Sequence, residues 1–159
     1  MTELDEIRKI LTTSFTKWWG YEKFRSNQLD ACANILQGKD TLMIAATGSG
    51  KSVAYQLPSL ALRDNNVKAT TIVISPLLSL IEDQIMSLSA LGISAVSISS
   101  NSSARDEQSA MNGDYAILYM TPEKIVRWTH GIAQLCLHSH IICLGKTTSS
   151  PLTNPKLFI

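Results

Sequence analysis

Residues 45–52 decide the fold, and they are Ala45, Ala46, Thr47, Gly48, Ser49, Gly50, Lys51 and Ser52. An apolar run at 41–44 precedes this stretch, and an apolar segment at 53–62 follows it. Strand, glycine loop and helix is the order of a phosphate-binding loop, in which glycines let several backbone N–H groups turn toward phosphate oxygens. Lys51 then reaches the β- and γ-phosphates, and the Ser52 hydroxyl binds Mg²⁺. The stretch therefore predicts a site for a nucleoside triphosphate with Mg²⁺. The alternative is a glycine-rich turn that happens to end in Lys-Ser.

The composition is that of one α/β domain. The chain has 159 residues, of which 45% are hydrophobic and 17% are charged, and its net charge is +1. This charge gives no overall basic field, so any contact with nucleic acid has to be local. Three cysteines without CxxC spacing predict a reducing compartment and no disulfide framework. No apolar run approaches the length of a membrane span, so we expect a soluble intracellular protein without a membrane partner.

Strand and helix patterns alternate downstream of the glycine loop. Apolar, β-branched segments at 70–74, 93–98 and 115–120 predict strands, the second of them nearer a sheet edge. Ser75-Pro76 and Thr121-Pro122 each predict a helix start, since a hydroxyl caps a helix and proline suits its first position. This alternation predicts an α/β fold with a mostly parallel sheet and helices on both faces. All of these turns then fall at the carboxyl edge of the sheet, where ligands bind in such folds.

Two helices are predicted upstream of the glycine loop. Apolar residues at three- and four-residue steps over 4–15 predict an amphipathic helix that ends at Gly20. A second helix is predicted over 29–36, and Gln28 lies near its start. A glutamine there is either a solvated surface residue or a reader of adenine, because a primary amide pairs with the donor and acceptor of an adenine edge.

These residues resemble the first motor domain of the RecQ-type DNA helicases, which belong to superfamily two. The likeness runs from about Trp19 to Ile125 and involves four ordered motifs. Gly20-Tyr21-x-x-Phe24-Arg25-x-x-Gln28 is similar to the family's adenine-recognition motif, and 46–58 is similar to motif I. The resemblance implies a RecA-like fold with ATP and Mg²⁺ as cofactors. It implies that Gln28 reads adenine, that Tyr21 stacks on the base and that Arg25 supports the nucleotide.

Two further motifs imply a DNA track. Residues 74–84 resemble motif Ia and 119–125 resemble motif Ib, which in the family contact the backbone of single-stranded DNA. The residues expected to make these contacts are Ser75, Pro76, Thr121 and Pro122, and simple helix capping is the alternative for both hydroxyls. The family's 3′-to-5′ unwinding of partly duplex DNA, its roles in DNA repair and recombination, and a nuclear location are implied by the resemblance alone.

The C-terminal part of the sequence lacks the catalytic carboxylates that the resemblance would imply. No acidic residue follows Glu123, whereas in the family the next strand ends in Asp-Glu-Ala-His, which holds Mg²⁺ and activates water. Residues 140–144 could form a strand, but no carboxylate follows them to bind a hard cation or accept a proton. The family's second motor domain, with its arginine finger, is not recognisable either. We therefore expect this chain alone neither to hydrolyse ATP at a useful rate nor to unwind DNA.

The sequence divides into a partial ATP-binding domain at 1–128 and a divergent tail at 129–159, expected to be irregular or disordered. The abrupt loss of likeness favours a truncated or alternatively spliced product. Strands that the family places beside the glycine-loop strand would be missing, which leaves apolar edges open unless the tail covers them. Cys136, His138, His140 and Cys143 form a possible zinc set, although on a strand the last of them faces the other way.

Three functions remain open. The first is the ATP- and DNA-binding part of a RecQ-like helicase, and the second is a non-enzymatic fragment that sequesters ATP, DNA or a helicase partner. An unrelated P-loop GTPase is the third, and it is disfavoured because no Asn-Lys-x-Asp base-reading motif occurs.

Overall fold

The computed structural model describes residues 2–25, 27–46, 48–145 and 156–158, with side chains up to Ile142. Within these residues the helices are α1 (Glu3–Trp19), α2 (Gln28–Leu36), α3 (Lys51–Asp64), α4 (Leu78–Ala90), α5 (Ala104–Met111), α6 (Pro122–Arg127) and α7 (Thr129–His138). The strands are β1 (Thr41–Leu42), β2 (Ala69–Ile74), β3 (Ala95–Ser97), β4 (Ile117–Met120), β5 (His140–Gly145) and β6 (Lys156–Phe158). A search of the described helices finds none with the length and apolar character of a membrane span.

The strands form one parallel sheet in the order β1-β6-β5-β2-β4-β3. β2 lies in its interior, paired with β5 from Ala69 to Ile74 and with β4 from Thr71 to Ile74. β2 is buried along almost its whole length, as expected of an apolar strand covered on both faces. The predicted α/β fold is confirmed, and so is the place of β3 at an edge of the sheet.

Helices cover both faces of the sheet. Alternate residues of a strand point to opposite faces, and β4 places Tyr119 in one core cluster and Leu118 in another. The Tyr119 side packs against α3 and α4, for example through Ile81. The Leu118 side packs against α5 and α7, with Trp128 fully buried between the elements.

The first helix forms a second layer over α2 and α3. Its buried residues Leu11 and Phe15 cluster with Leu57 of α3, and the rings of Phe15 and Phe24 stack with their centroids 4.2 Å apart. α1 begins with a capping box between Thr2 and Asp5 and ends at Gly20, whose φ is 71°. The predicted end of this helix at Gly20 is confirmed.

The described part of the tail is regular secondary structure, which corrects the expectation of an irregular segment. α7 covers the sheet and β5 pairs with β2, while β6 lies between β5 and β1. Strands from the tail thus fill the position beside β2 and β1, for which the sequence predicts an open edge unless the tail covers it. The apolar run at 140–144 is confirmed as a strand. The division of the chain at residue 128 stays a prediction.

Arg63 connects segments at the amino ends of the strands. Its guanidinium donates to the carbonyl oxygens of Ala69 (2.6 Å), Gly113 (2.6 Å) and Tyr115 (2.8 Å). The planar fork of arginine suits several acceptors at once. One side chain from α3 therefore satisfies carbonyls at the start of β2 and in the segment that leads into β4.

Asp64, the last residue of α3, ties this helix to α1. Its carboxylate accepts from Ser14 Oγ (2.6 Å) and Trp18 Nε1 (3.1 Å), and it pairs with Lys17. Residues three and four apart share one face of a helix, so three donors of α1 meet one acceptor. Burial would raise the pKa of Asp64, but hydrogen bonds from Lys17, Ser14 and Trp18, together with the Lys17 charge, hold it below its usual value.

We predict that Asp64→Asn lowers the free energy of unfolding by on the order of 1–3 kcal/mol at neutral pH, because hydrogen bonds to a charged acceptor are lost. Since the pKa is lowered in the folded state, this stabilisation is present above the unfolded pKa of about 3.9 and disappears as the pH falls through the folded value. Urea unfolding of both proteins at several pH values measures the difference. Asp83→Asn, at an exposed position of α4, is the matched control. A wild-type to D64N difference that does not shrink in acid would contradict the role of the charge.

Candidate nucleotide and nucleic-acid site

The glycine loop joins β1 to the first turn of α3, as predicted. Gly48 and Gly50 have φ values of 78° and 82°, in the left-handed region that favours glycine. Lys51 is the first residue of α3, so Gly50 caps the amino end of this helix. Backbone N–H groups at such an end attract anions.

Hydrogen bonds hold the loop together from within. Lys51 Nζ donates to the Ala45 carbonyl over 2.8 Å, and Ser49 Oγ donates to the Ala46 carbonyl over 2.6 Å. The lysine ammonium group therefore lies against the loop in which it is expected to bind phosphate. Thr47, also predicted as a nucleotide contact, lies outside the described residues.

Gln28 is locked to the glycine loop. Only 2% of it is exposed, its Nε2 donates to the Gly50 carbonyl over 2.7 Å, and its Oε1 accepts from the Arg25 backbone N–H over 2.8 Å. The interpretation of Gln28 as a solvated surface residue is therefore wrong. A primary amide carries two N–H donors and two acceptor lone pairs, and these two bonds use one of each.

The same contact explains why residue 50 is glycine. A Cβ built on Gly50 would lie 2.4 Å from Gln28 Nε2, so the Gln28 amide would have to leave the Gly50 carbonyl, and the φ of 82° would strain any other residue. Arg25 adds a longer contact from the same side, since its Nη1 lies 3.4 Å from the Gly48 carbonyl. The structure thus brings Arg25 and Gln28 onto the loop, although they lie more than 20 residues away along the chain.

Tyr21 stands apart from this contact network. It is 58% exposed, and its ring lies 5.9 Å from that of Phe15 at the end of α1. An exposed aromatic ring held from one side offers a face for stacking. Ser52 is the second residue of α3 and lies in the first turn of this helix.

The turn after β2 differs from its prediction. α4 begins at Leu78, with extended backbone at Leu77, so Ser75 and Pro76 precede the helix and do not start it. The reason is that the sheet continues one residue further, because the Ser75 N–H donates to the Met120 carbonyl over 3.0 Å. Ser75 Oγ instead accepts from the Leu77 N–H over 3.4 Å.

The turn after β4 is as predicted. Thr121 caps α6 by accepting the Lys124 N–H over 3.3 Å, and Pro122 is the first helical residue. Ser75 and Thr121 are thus neighbours at the carboxyl edge, because the Ser75–Met120 bond joins the ends of their strands. Capping is confirmed for Thr121 only.

A cavity of about 510 Å³ opens beside these turns, between α4, α6 and the segment after β3. Its polar lining consists of hydroxyl, amide and charged groups: Glu82, Ser97, Ser99, Ser100, Asn101, Thr121, Glu123, Lys124 and Arg127. Sequence reasoning missed most of these residues. The available signal was the polar run Ser99-Ser100-Asn101, which directly follows an apolar strand pattern.

The possible zinc set is not brought together. Cys136 and His138 lie on α7 and not on a strand, so the shared face assumed for them does not exist. No group of three or more potential ligands is found among the described residues. The side chain of Cys143 lies outside those described.

Comparisons with known proteins agree with this architecture. Residues 25–144 match the DEAD/DEAH box helicase family. The match therefore extends beyond Ile125, the residue at which the likeness was expected to end from the sequence alone.

Several curated relatives are RecQ helicases or RecQ-like. The chain is 46% identical over 113 residues to ATP-dependent DNA helicase Q-like 2 of Arabidopsis thaliana, and the match covers 67% of this chain and 15% of that protein. It is 37% identical over 127 residues to ATP-dependent DNA helicase RecQ of Haemophilus influenzae, covering 77% of this chain and 19% of that protein. The chain therefore spans about a fifth or less of the length of these relatives.

Solved structures share the fold. The DUF1998 helicase MrfA bound to DNA superposes with a TM-score of 0.67 at 18% identity, over 91% of this chain and 21% of that one. MrfA bound to DNA and AMPPNP gives a TM-score of 0.66. From the family match over most of its length and from its RecQ relatives, the chain belongs to the DEAD/DEAH box helicases and is RecQ-like.

Proposed function

We propose that this chain is the nucleotide-binding part of a RecQ-like, ATP-dependent DNA helicase with 3′-to-5′ polarity. It binds ATP with Mg²⁺ at the glycine loop and single-stranded or partly duplex DNA along the carboxyl edge. The observation that carries this proposal is the Gln28 amide on the Gly50 carbonyl, because it joins a base-reading side chain to a phosphate-binding loop. Action in the nucleus, in DNA repair and recombination, belongs to the proposal through the RecQ likeness.

The residues present suit a magnesium nucleotide. Ser52 offers a hydroxyl oxygen at the start of α3, and Mg²⁺ takes oxygen ligands from one or two side chains, phosphates and water. Lys51 carries the charge that pairs with phosphate oxygens, and the positive φ values of Gly48 and Gly50 allow the tight turn that such a loop needs. When bound, the metal neutralises phosphate charge.

A second function, binding without turnover, is favoured for this polypeptide on its own. β5 ends at Gly145, opposite Ile74 of β2, at the edge where the family carries its acidic motif. No acidic residue follows Glu123 in the sequence. A general base accounts for about 10²–10⁴ in rate. We therefore infer that the loop holds ATP and that this chain does not hydrolyse it at a useful rate.

Lys51→Ala tests the glycine loop. Loss of a charge-assisted contact of about 1.5–3 kcal/mol weakens binding of Mg²⁺–ATP by about 10- to 150-fold in calorimetric titration. Lys39→Ala, an exposed lysine before β1, leaves the affinity unchanged. DNA-stimulated ATP turnover of the wild type is expected to equal that of K51A. Turnover clearly above this background would overturn the proposed lack of hydrolysis, and equal ATP affinities of wild type and K51A would overturn the site.

Gln28→Ala separates base reading from support of the loop. If Gln28 reads adenine, the wild type prefers ATP over GTP, and the variant loses this preference as well as some affinity for both nucleotides. The measurement is the ratio of the two dissociation constants. Gln37→Ala, at the other end of α2, should keep the wild-type ratio. An equal loss of affinity for ATP and GTP in Q28A would show that Gln28 acts through the Gly50 carbonyl alone.

Arg127→Ala tests the DNA track. Arg127 lines the cavity at the end of α6, and we expect its removal to weaken binding of a labelled oligothymidylate. Each lost phosphate contact should also reduce the slope of log affinity against log salt concentration by about 0.7. Arg105→Ala makes the same charge change on the exposed side of α5. Equal effects of R127A and R105A on affinity and salt slope would contradict a role for the cavity.

A further inference from the structure

A partly buried polar network connects the helix that follows the glycine loop with the helix and strand that lead to the proposed DNA contacts. Its centre is Gln84, in the middle of α4. Gln84 Oε1 accepts from Tyr55 OH (3.2 Å) and from Gln56 Nε2 (3.0 Å), both on α3. One amide oxygen therefore joins two helices.

The network extends toward the glycine loop on one side and toward the proposed DNA contacts on the other. Toward the glycine loop, Tyr55 lies on α3, one helical turn after Lys51 and Ser52, the first two residues of that helix. Toward the DNA track, Gln56 Nε2 lies 3.4 Å from the hydroxyl of Tyr119, two residues before Thr121 in the chain. α4 itself begins three residues after Ser75.

Burial makes these bonds sensitive to small displacements. Gln56, Tyr55 and Tyr119 are 4%, 8% and 1% exposed, so water cannot readily replace a partner lost by these three side chains, whereas Gln84 itself is half-buried. Burial also raises the pKa of both tyrosines, so their hydroxyl groups stay protonated at neutral pH. A shift of the first turns of α3 has to break these bonds or move α4 and β4 along with it.

We propose that Gln84 is a positioning residue that couples nucleotide binding at Lys51 and Ser52 to DNA binding at the turns after β2 and β4. This inference rests on the proposed function. Gln84 touches neither ligand and acts through Tyr55 and Gln56. Removal of its acceptor oxygen is therefore expected to reduce the mutual effect of the two ligands while each of them still binds.

The test is the coupling factor between two probes, a labelled oligothymidylate and AMPPNP with Mg²⁺. The dissociation constant of the oligonucleotide is measured with and without saturating AMPPNP, and that of AMPPNP with and without oligonucleotide. Linkage requires both ratios to agree. We expect a factor of about 5 or more for the wild type, which is the lower range of allosteric coupling.

Gln84→Met keeps the length of the side chain without an acceptor oxygen, and its coupling factor should fall close to one. Gln84→Glu keeps an acceptor and should retain the coupling. Tyr55→Phe removes one donor and should lower the factor without any change at residue 84. Gln108→Met, on the exposed side of α5, is the matched control and should behave as the wild type.

The outcomes separate the inference from the proposed function. If the wild type binds both probes with no coupling, or if Q84M couples as strongly as the wild type, the role of Gln84 is overturned and the proposed function stands. If Q84E loses as much coupling as Q84M, the acceptor oxygen is not responsible. If the folded wild type binds neither probe, the proposed function fails and this inference fails with it.

Discussion

Backbone pairing of β2 with β4 and β5 is the constraint on which the rest of the structure depends. β2 has partners on both sides over Thr71–Ile74, so its buried N–H and C=O groups are satisfied by neighbouring strands. Because the strands are parallel and in register, their carboxyl ends meet at one edge. Ser75, Thr121 and the end of β5 are therefore neighbours before any side chain contributes. Strand register alone therefore brings these residues together, and their side chains then determine what the site can bind.

Sequence reading predicted the glycine loop and the alternation of strands and helices, because both depend on local signals: glycine spacing, apolar runs and capping residues. It failed at Ser75 for a non-local reason. Serine followed by proline is a good local helix start, but the bond from the Ser75 N–H to the Met120 carbonyl holds this residue in the sheet. The cavity lining was missed for a similar reason, since Ser99 and Arg127 are close only in the folded chain. The likeness to the adenine motif pointed to Gln28, yet only the structure shows that Gly50 is its direct partner.

The tail shows that fold and chemistry can be separated in this sheet. Pairing with β2 requires a short apolar strand, because a ladder uses backbone groups and both faces are covered. Residues 140–144 meet this requirement without any carboxylate after them. An unpaired β2 edge would otherwise expose a row of donors and acceptors, which is a hazard that folded proteins avoid. Sequence reading expected irregular structure at 129–159 because it followed motif residues, whereas the strand position depends only on apolar pattern and an available edge.

The amino ends and the carboxyl ends of the strands carry different kinds of contacts. At the amino edge, Arg63 donates to three carbonyls from two segments, and Asp64 beside it accepts from three donors of α1. These contacts join elements and leave little to exchange with a ligand. At the carboxyl edge, Lys51 donates to a loop carbonyl, an acceptor that a phosphate oxygen could replace, and the Gln28 amide binds the Gly50 carbonyl with one of its two N–H donors. Gln56 of α3 and Gln84 of α4 form a partly buried polar contact, in a place where apolar side chains would pack without the risk of unsatisfied groups. This contact connects the helix that starts at the glycine loop with the helix that follows Ser75. The proposed coupling of the two sites would account for polar side chains at these positions.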